Sequence, residues 1–531
     1  MARRPSVMTN RFSMIEPPRL PRAVFDRSHG HKTTINSGYL YPIFIDEVMP
    51  GDTMRMRMTA FGRLATPIYP LMDNLKMSVF WFECPMRILW TNFVRMMGER
   101  DDPSDSISYV MPTMPGVAST GYSALSLYDY LGIPPGIPDL EHNSLPMRMY
   151  NLVYNHWFRD QNLQDSVTVD LDDGPDDPAD YVLLRRGKRH DYFTSSLPTP
   201  QKGDALSLPL GTQAPVDGLA SATGLTWNSN PASVIDSAGT THTTGGDYLN
   251  SRAANDSNTL FVENSGSDGP AIFADLSAAT AATINQLRES FQLQVLLERD
   301  MRGGTRYIEL VKSHFGVTSP DFRMQRPEYL GGSVDDVIIT PVSQSSETNT
   351  TAQGTQAAFG TVGVRGSGFT KSVTEHGYVM GIIQVSADLT YQQGLEKMWS
   401  RSTRYDFYWP ALANLGEEPV YNREIYAVGS GGSSDGNVWG YNERYSSYRY
   451  KPSRISGQLR STHATPLDAW HLGQEFSSLP VLNASFIVDN PPISRVVADN
   501  TDPEFILDMY FDYKCARTMP VYATPLSLGR F

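Results

Sequence analysis

Hydrophobic and polar positions alternate strictly in one early segment, where TMRMRMTA at Thr53–Ala60 sets Met against Arg with the two-residue period of a half-buried strand. Leu75–Glu83 (LKMSVFWFE) is aromatic and branched, and Gly377–Leu389 (GYVMGIIQVSADL) is a longer apolar run of the kind found in a buried strand. Near the end of the chain, Ala484–Asp489 (ASFIVD) and Phe505–Tyr513 (FILDMYFDY) carry the same signal. Strands at both ends of a long chain predict a sandwich whose first and last strands pair, as in a jelly roll. Helix signals are few. MRMYNLVYNHWFRDQN places Tyr150, Val153, Tyr154 and Trp157 on one helical face, and ATINQLRESFQLQVLLERDM repeats Ile284, Leu287, Phe291 and Val295 at spacings of three and four. Shorter helices are predicted from Ser123 to Leu131 and from Gly394 to about Thr403. No solenoid or propeller period is visible.

Composition supports strands and long loops. Of 531 residues, 40% are hydrophobic and 19% charged, with 42 Gly and 37 Pro, enough apolar material for a sizeable core and too ordered a mixture for collagen or wholesale disorder. Cys84 and Cys515 are the only cysteines, so neither a disulfide framework nor a cysteine-based zinc site can be built, and a reducing compartment is expected. Early arginines are not followed by an apolar signal core, and the longest apolar stretch is too short to span a bilayer, so export and membrane insertion are not expected.

The net charge of −13 is unevenly spread. Residues 1–32 hold seven Lys and Arg, among them Arg3, Arg4 and Arg11, against two acids, and four prolines keep this basic arm extended and able to reach a polyanion. Residues 203–282 reverse the sign, with Arg252 the only Arg or Lys against eight acids from Asp204 to Asp275 in a stretch rich in Ser, Thr, Ala and Gly. This composition marks an inserted surface module, either a small strand-rich excursion or a disordered linker; apolar positions such as Leu225, Trp227 and Phe261 favour the excursion. Residues 33–202 and 283–531 then form the main body. Within it, residues 343–372 form a second low-complexity stretch, expected to be an ordered loop or an inter-subunit contact rather than a domain linker.

Candidate chemistry is sparse. Gly432–Gly436 matches G-x-S-x-G inside a Gly/Ser loop without the strand-to-helix turn a nucleophile needs, and Gly363–Gly368 lacks the lysine spacing of a phosphate loop. His29 and His31 lack a third metal ligand, and Asp170, Asp172 and Asp173 are out of register for a calcium loop. The basic run Arg185, Arg186, Lys188 and Arg189, beside Tyr192 and Phe193, could grip single-stranded nucleic acid through phosphates and stacking, or could pair with the acidic cluster Asp170–Asp180 on the same or a neighbouring subunit. Tyrosine-rich Val438–Gly457 poses a similar choice between a stacking platform and a subunit interface, and the interface is favoured.

Several long strings narrow the reading further. YNHWFRDQN at Tyr154–Asn162, RHDYFTSSLPTPQKGD at Arg189–Asp204, ELVKSHFGVTSPDFRMQRPEYLGG at Glu309–Gly332, RYDFYWP at Arg404–Pro410 and YNERYSSYRYKPS at Tyr441–Ser453 resemble the major capsid proteins of microviruses, the gokushovirus branch above all. The likeness extends from His31–Asp52 to Arg517–Tyr522, nearly the whole chain. It implies a mainly β fold, a single eight-stranded jelly-roll barrel with very long inserted loops and a few short helices. It also implies a T=1 icosahedral shell around a circular single-stranded DNA phage genome, assembled in the host cytoplasm, with no enzymatic activity and no cofactor. Implied partners are further copies of the chain, the genome, a small basic DNA-associated protein, a pilot protein, an internal scaffolding protein and a bacterial receptor. On this likeness residues 203–282 form a protrusion for host attachment, with Trp227, Asp247 and Tyr248 as contact candidates. Alternatives from other classes are a phage adhesin and a carbohydrate-active β-sandwich protein, the latter needing two convergent carboxylates.

Overall fold

Side chains of alternating polarity sort the main body into two antiparallel sheets. The structure, a computed structural model, describes residues 21–203, 284–303, 307–316, 325–429 and 434–522, with five short strand segments between 204 and 283. The chain divides into two units, Met1–Pro200 with Thr318–Phe531, and Gln201–Val317.

In the first unit the main strands are β1 (Ala23–Asp26), β2 (His29–Ile35), β3 (Tyr41–Val48), β4 (Thr53–Leu64), β5 (Leu75–Pro85), β6 (Glu328–Asp336), β7 (Ile338–Ser343), β8 (Gln356–Ser372), β9 (Gly377–Ala387), β10 (Glu417–Tyr421), β11 (Val438–Glu443) and β12 (Phe505–Arg517). One sheet runs β1-β12-β4-β8-β7, with β2 also on β12; the other runs β6-β5-β9-β3. The last strand therefore pairs with the first ones, Ala23 opposite Arg517 and Ile35 opposite Phe505. The ribbon β10-β11 stands apart from both sheets.

The first sheet is one-sided. Along β4, Met54, Met56, Met58, Ala60 and Leu64 point inward and Arg55, Arg57 and Arg63 outward; along β12, Phe505, Leu507, Met509, Phe511, Tyr513 and Cys515 point inward. Against them lie Val79 and Trp81 of β5 and Val379, Ile383 and Val385 of β9, forming the core of the sandwich. The Trp81 indole N–H donates to Ser367 Oγ of β8 at 3.1 Å, which joins the two sheets through a buried polar bond. Gly381 on β9 leaves room for that indole: a Cβ there would lie 2.6 Å from its ring.

The second sheet is covered on both faces. Phe82 and Cys84 of β5 and Tyr378, Met380 and Ile382 of β9 turn away from the sandwich and pack under helix α1 (Leu145–Val153) and the loops around it. At the centre of this outer layer sits Arg148, fully buried. Its guanidinium donates to both carboxylate oxygens of Asp176 and to the carbonyls of Leu89 and Asp172, while the Tyr181 hydroxyl donates to Asp176 Oδ2 at 2.6 Å. Desolvation would raise the Asp176 carboxyl, but the hydrogen bonds from Arg148 and Tyr181 outweigh it and hold the group below its usual range.

Several local expectations change. Ala484–Asp489 is not a strand: the Asn483 side chain accepts from the backbone N–H groups of Ser485 and Phe486 and starts a helical turn, Ala484–Ile487. The helix expected from Gly394 to Thr403 is only the 3-10 turn Lys397–Ser400, and that from Ser123 to Leu131 only the turn Leu127–Tyr130, after Leu125 at φ 62. Past Val153 the chain widens into a π-turn, Tyr154–Phe158, which breaks the 3.6-residue phase and leaves Trp157 40% exposed while Tyr150 and Tyr154 stay buried. The low-complexity stretch is largely strand: its small residues tolerate the long β8, and Val362, Val364 and Phe369 turn into the core. The second unit holds helices α2 (Ile284–Arg302) and α3 (Tyr307–Phe315), tied by His314 Nε2 and Asp300 Oδ1 at 2.6 Å. Its described short strands pair as ribbons, Ser233–Ile235 with both Thr241–Thr243 and Phe261–Val262, and Val216–Asp217 with Phe273–Ala274.

Replacing Arg148 by Met is expected to destabilise the chain by about 3–5 kcal/mol, because it strands a buried carboxylate. Exchanging Arg148 and Asp176 together for apolar residues of similar volume is expected to recover only the part due to the stranded carboxylate, because the carbonyls of Leu89 and Asp172 still lose their donor. Denaturant melts of the three proteins check this, and a single variant within about 0.5 kcal/mol of wild type would refute the role given to the pair.

Candidate nucleic-acid and assembly surfaces

The wet face of the first sheet gathers basic and aromatic side chains. The alternation that turns Met54, Met56 and Met58 inward turns Arg55, Arg57 and Arg63 out, and neighbouring strands add Arg365, Lys514 and Tyr510 to the same exposed face. Register fixes their spacing. Arg55 lies opposite Lys514 and Arg57 opposite Asp512, while Thr59 has Arg365 on one side and Tyr510 on the other. Phe61, 57% exposed, stands between these residues and Arg63. Like charges directly across a strand pair repel, and a polyanion laid on the face would relieve that repulsion. Basic groups interleaved with exposed rings are also the arrangement that holds single-stranded nucleic acid. The sequence reading used the Thr53–Ala60 alternation only as a strand signal, although the same alternation had already placed the arginines on one face.

The basic run singled out in the sequence takes a different place. Backbone bonds from Lys188 N to Ile487 O at 2.7 Å and from Asp489 N to Arg186 O at 2.9 Å stitch it to the segment after Asn483. Arg185 stacks on Tyr39, 3.9 Å from the ring centre, and donates to Asn490. Arg186 lies over Phe80 and Phe158 and reaches Gln384, and Arg189 approaches Ser78 Oγ at 3.5 Å. Lys188 is only 8% exposed, lies over Phe486 and donates to Gln474 at 3.0 Å, which leaves it closed to a phosphate in this protomer. Within the protomer, the pairing weighed with the acidic cluster Asp170–Asp180 does not form among the described residues: Asp176 is held by Arg148, and Asp173 accepts from Trp90 and Asn92. Burial drives the Asp489 carboxyl up to about 6 and the Lys188 ammonium down to about 8, their mutual attraction opposing both shifts without overcoming them.

A third core cluster, including Phe193, Tyr391, Trp439 and Phe486, supports the ribbon β10-β11 and the loops before and after it. Glu424 accepts from the Tyr192 hydroxyl at 2.7 Å, and Lys397 bridges to Glu418 at 3.1 Å beneath these loops. Above them stand rings that the described residues leave largely open: Trp399 is 68% exposed and Tyr405 65%, with Phe407, Tyr408, Tyr448 and Tyr450 each about half exposed. Arg401 lies 4.0 Å from the Tyr448 ring centre and Arg404 4.8 Å from that of Trp409. A hollow of 340 Å³ opens among Arg401, Tyr448, Tyr450, Lys451 and Arg454. In the second unit, Phe291 and Val295 of the helical face read from the sequence are exposed, as are Leu293 and Leu296, while Leu287 is half-buried. Contiguous exposed rings and aliphatics on this scale mark surfaces that bind other macromolecules.

The family model described as "Capsid protein (F protein)" matches residues 13–527. The chain belongs to this phage capsid family. It is 46% identical to "Capsid protein VP1" of Bdellovibrio phage phiMH2K over 98% of each chain, 40% identical to that of Chlamydia phage 1 over 98% of each, and 35% identical to that of Spiroplasma virus 4 over 97% of each. It is therefore a phage capsid protein of the microvirus type and not an enzyme.

The motifs weighed for chemistry have structural places in this capsid protein. Gly363–Gly368 lies within β8, and Asp435 of the G-x-S-x-G match accepts from the backbone N–H groups of Val428 and Gly429. His29 rests against Phe44 and Phe511, and His31 Nδ1 is 3.0 Å from the Ile43 carbonyl. Among the described residues no group of three or more His, Cys, Asp or Glu side chains is placed to hold a metal ion, and no helix is long and apolar enough to cross a membrane. Arg3, Arg4, Arg11, Trp227, Asp247 and Tyr248 lie outside the described residues.

Because the folded Asp489 carboxyl titrates above its unfolded value, its contribution to stability is fully present below about pH 4 and is lost as pH rises toward 6. Wild type is therefore expected to lose stability relative to Asp489→Asn across that window. Melting temperatures of both proteins from pH 4 to 8 check this; a difference that does not change with pH would show that burial does not perturb the group.

Proposed function

We propose that the chain is the major subunit of a T=1 icosahedral shell that encloses a circular single-stranded DNA phage genome. The observation that carries the reading is the uncovered aromatic surface around Trp399 and Tyr405 on a chain of a capsid family. Such rings are poor monomer surface and good interface, and a closed shell covers every copy of them. The two sheets serve as the jelly-roll frame, with the long connections supplying contacts between copies.

Two features support contact with the genome. The face of Arg55, Arg57, Arg365 and Lys514 offers phosphate charge with Tyr510 and Phe61 for stacking. The arm that bears Arg3, Arg4 and Arg11 adds a charged extension to every copy. Among the residues read from sequence, Arg185, Arg186 and Arg189 retain partial exposure, whereas Lys188 serves the fold. Residues 203–282, acidic and inserted, act as an outward module for attachment to a bacterial receptor, with Trp227, Asp247 and Tyr248 as its contact candidates. Acidic modules on the outside and basic groups within also keep particles soluble while neutralising packaged phosphate. Assembly takes place in the host cytoplasm with the phage's scaffolding, pilot and small basic proteins.

The test is electron microscopy of the chain co-expressed with its phage neighbours. Wild type is expected to give closed shells of uniform size, and Trp399→Glu with Tyr405→Glu to give folded subunits and no shells. Persistent wild-type monomers under these conditions, or normal shells from the double variant, would count against the proposed interface.

A further inference from the structure

A groove of 800 Å³ runs along the outer layer of the first unit, between the loop 115–128 and the segment 177–183. Its shape is fixed within the protomer. Tyr122 and Tyr128 stack with ring centres 3.8 Å apart, and the Tyr128 hydroxyl donates to the Pro178 carbonyl at 2.8 Å, which ties one wall to the other. The Tyr122 hydroxyl in turn lies 2.8 Å from His142 Nε2. Gly121, at φ 67, lets the loop turn where a Cβ would collide with the Ile137 backbone. Apolar side chains still stand open in this groove, Val182 at 53% exposure and Val117 at 41%. Its surroundings are acidic: residues 101–147 and 160–184, which supply the walls, contain no Lys or Arg, and Asp177 and Asp180 are exposed along one of them.

The aromatic loops around Trp399 carry the complementary chemistry. Trp399, Tyr405 and Phe407 are more than half exposed, and their charged neighbours are mostly cations. Arg404 lies over Trp409, while Lys451 and Arg454 share the single carboxylate of Glu396 at 3.6 and 3.8 Å. Asp406 is taken up by the backbone N–H groups of Ser402 and Thr403. Rings with surplus positive charge therefore have a counterpart in an apolar groove with surplus negative charge, a match that gives a contact its orientation as well as its cover. The other exposed apolar surface, on α2, lacks this bias, since its Arg288, Arg299 and Arg302 are balanced by Glu289, Glu298 and Asp300. Groove and aromatic loops rest on different core clusters and both stay open in one protomer, so a protomer's own rings do not fill its own groove.

We propose that the groove receives the aromatic loops of a second copy of the chain, with Trp399 and Tyr405 against Val117, Val182 and the Tyr122–Tyr128 stack, and with Arg404 and Lys451 facing Asp177 and Asp180. The proposal rests on the shell reading above and adds which surface covers the rings. Loops and groove are different patches, so each copy gives one such contact and receives one.

Benzophenone photo-cross-linking in assembled particles tests it. Trp399→p-benzoylphenylalanine and, separately, Tyr405→p-benzoylphenylalanine are co-assembled as a minority with isotopically heavy wild-type chain. On illumination each is expected to attach to heavy peptides from residues 115–128 or 177–183. Val182→Glu is expected to leave the protomer folded, because the side chain is already half exposed, and to lower the yield of shells at least about tenfold, because docking would bury an unpaired charge beside Asp177. Attachment to other segments, attachment within one copy, no attachment in well-formed particles, or normal shells from Val182→Glu would each overturn the docking and leave the shell reading standing. Absence of shells from wild type would overturn both.

Discussion

The whole body is organised by one constraint: β9 and β5 are buried on both faces. A strand that turns Val379, Ile383 and Val385 into the sandwich and Tyr378, Met380 and Ile382 away from it needs a second apolar layer on its outer side. Helix α1 and the loops from Pro85 to Tyr181 supply that layer. Because loops carry unpaired backbone groups, they can be buried there only if something satisfies them, and Arg148 does so by binding Asp176 together with the carbonyls of Leu89 and Asp172. One side chain thus holds two stretches of chain, at Leu89 and at Asp172–Asp176, against the sheet.

The other consequence is asymmetry. With the second sheet sealed by its own loops, the wet side of the first sheet and the aromatic loops around Trp399 are left for partners. The two surfaces differ in chemistry. Cross-strand repulsion between Arg55 and Lys514 calls for anions, whereas rings at Trp399, Tyr405 and Tyr408 call for apolar cover with a polar rim.

Much of the frame was legible in the sequence because it rests on periodicity. Met and Arg alternating at Thr53–Ala60, the apolar run from Gly377 and the alternation from Phe505 all became sheet strands, and the helix around Ile284 formed within one residue of its expected end. Ala484–Asp489 was misread because a capping Asn483 outweighed β-propensity over so short a segment. The surfaces were less legible. A run such as Arg185–Arg189 looks the same in sequence whether its charges face solvent or, like Lys188, lie over a phenylalanine, and only the pairing with Ile487 and Asp489 decides between them. Arg148 gave no signal either, standing as a lone arginine in an apolar helix whose acid partner comes 28 residues later.

The central claim is that the protomer is a shell subunit whose aromatic surface is completed by other copies. Oxidative footprinting of Trp399, Tyr405 and Tyr408, with mass spectrometry on dissociated chain and on purified particles, tests it most directly. The account predicts strong labelling in the dissociated chain and protection of all three in particles, with Phe82 and Trp81 unlabelled in both. Equal labelling of the three rings in both states would contradict it.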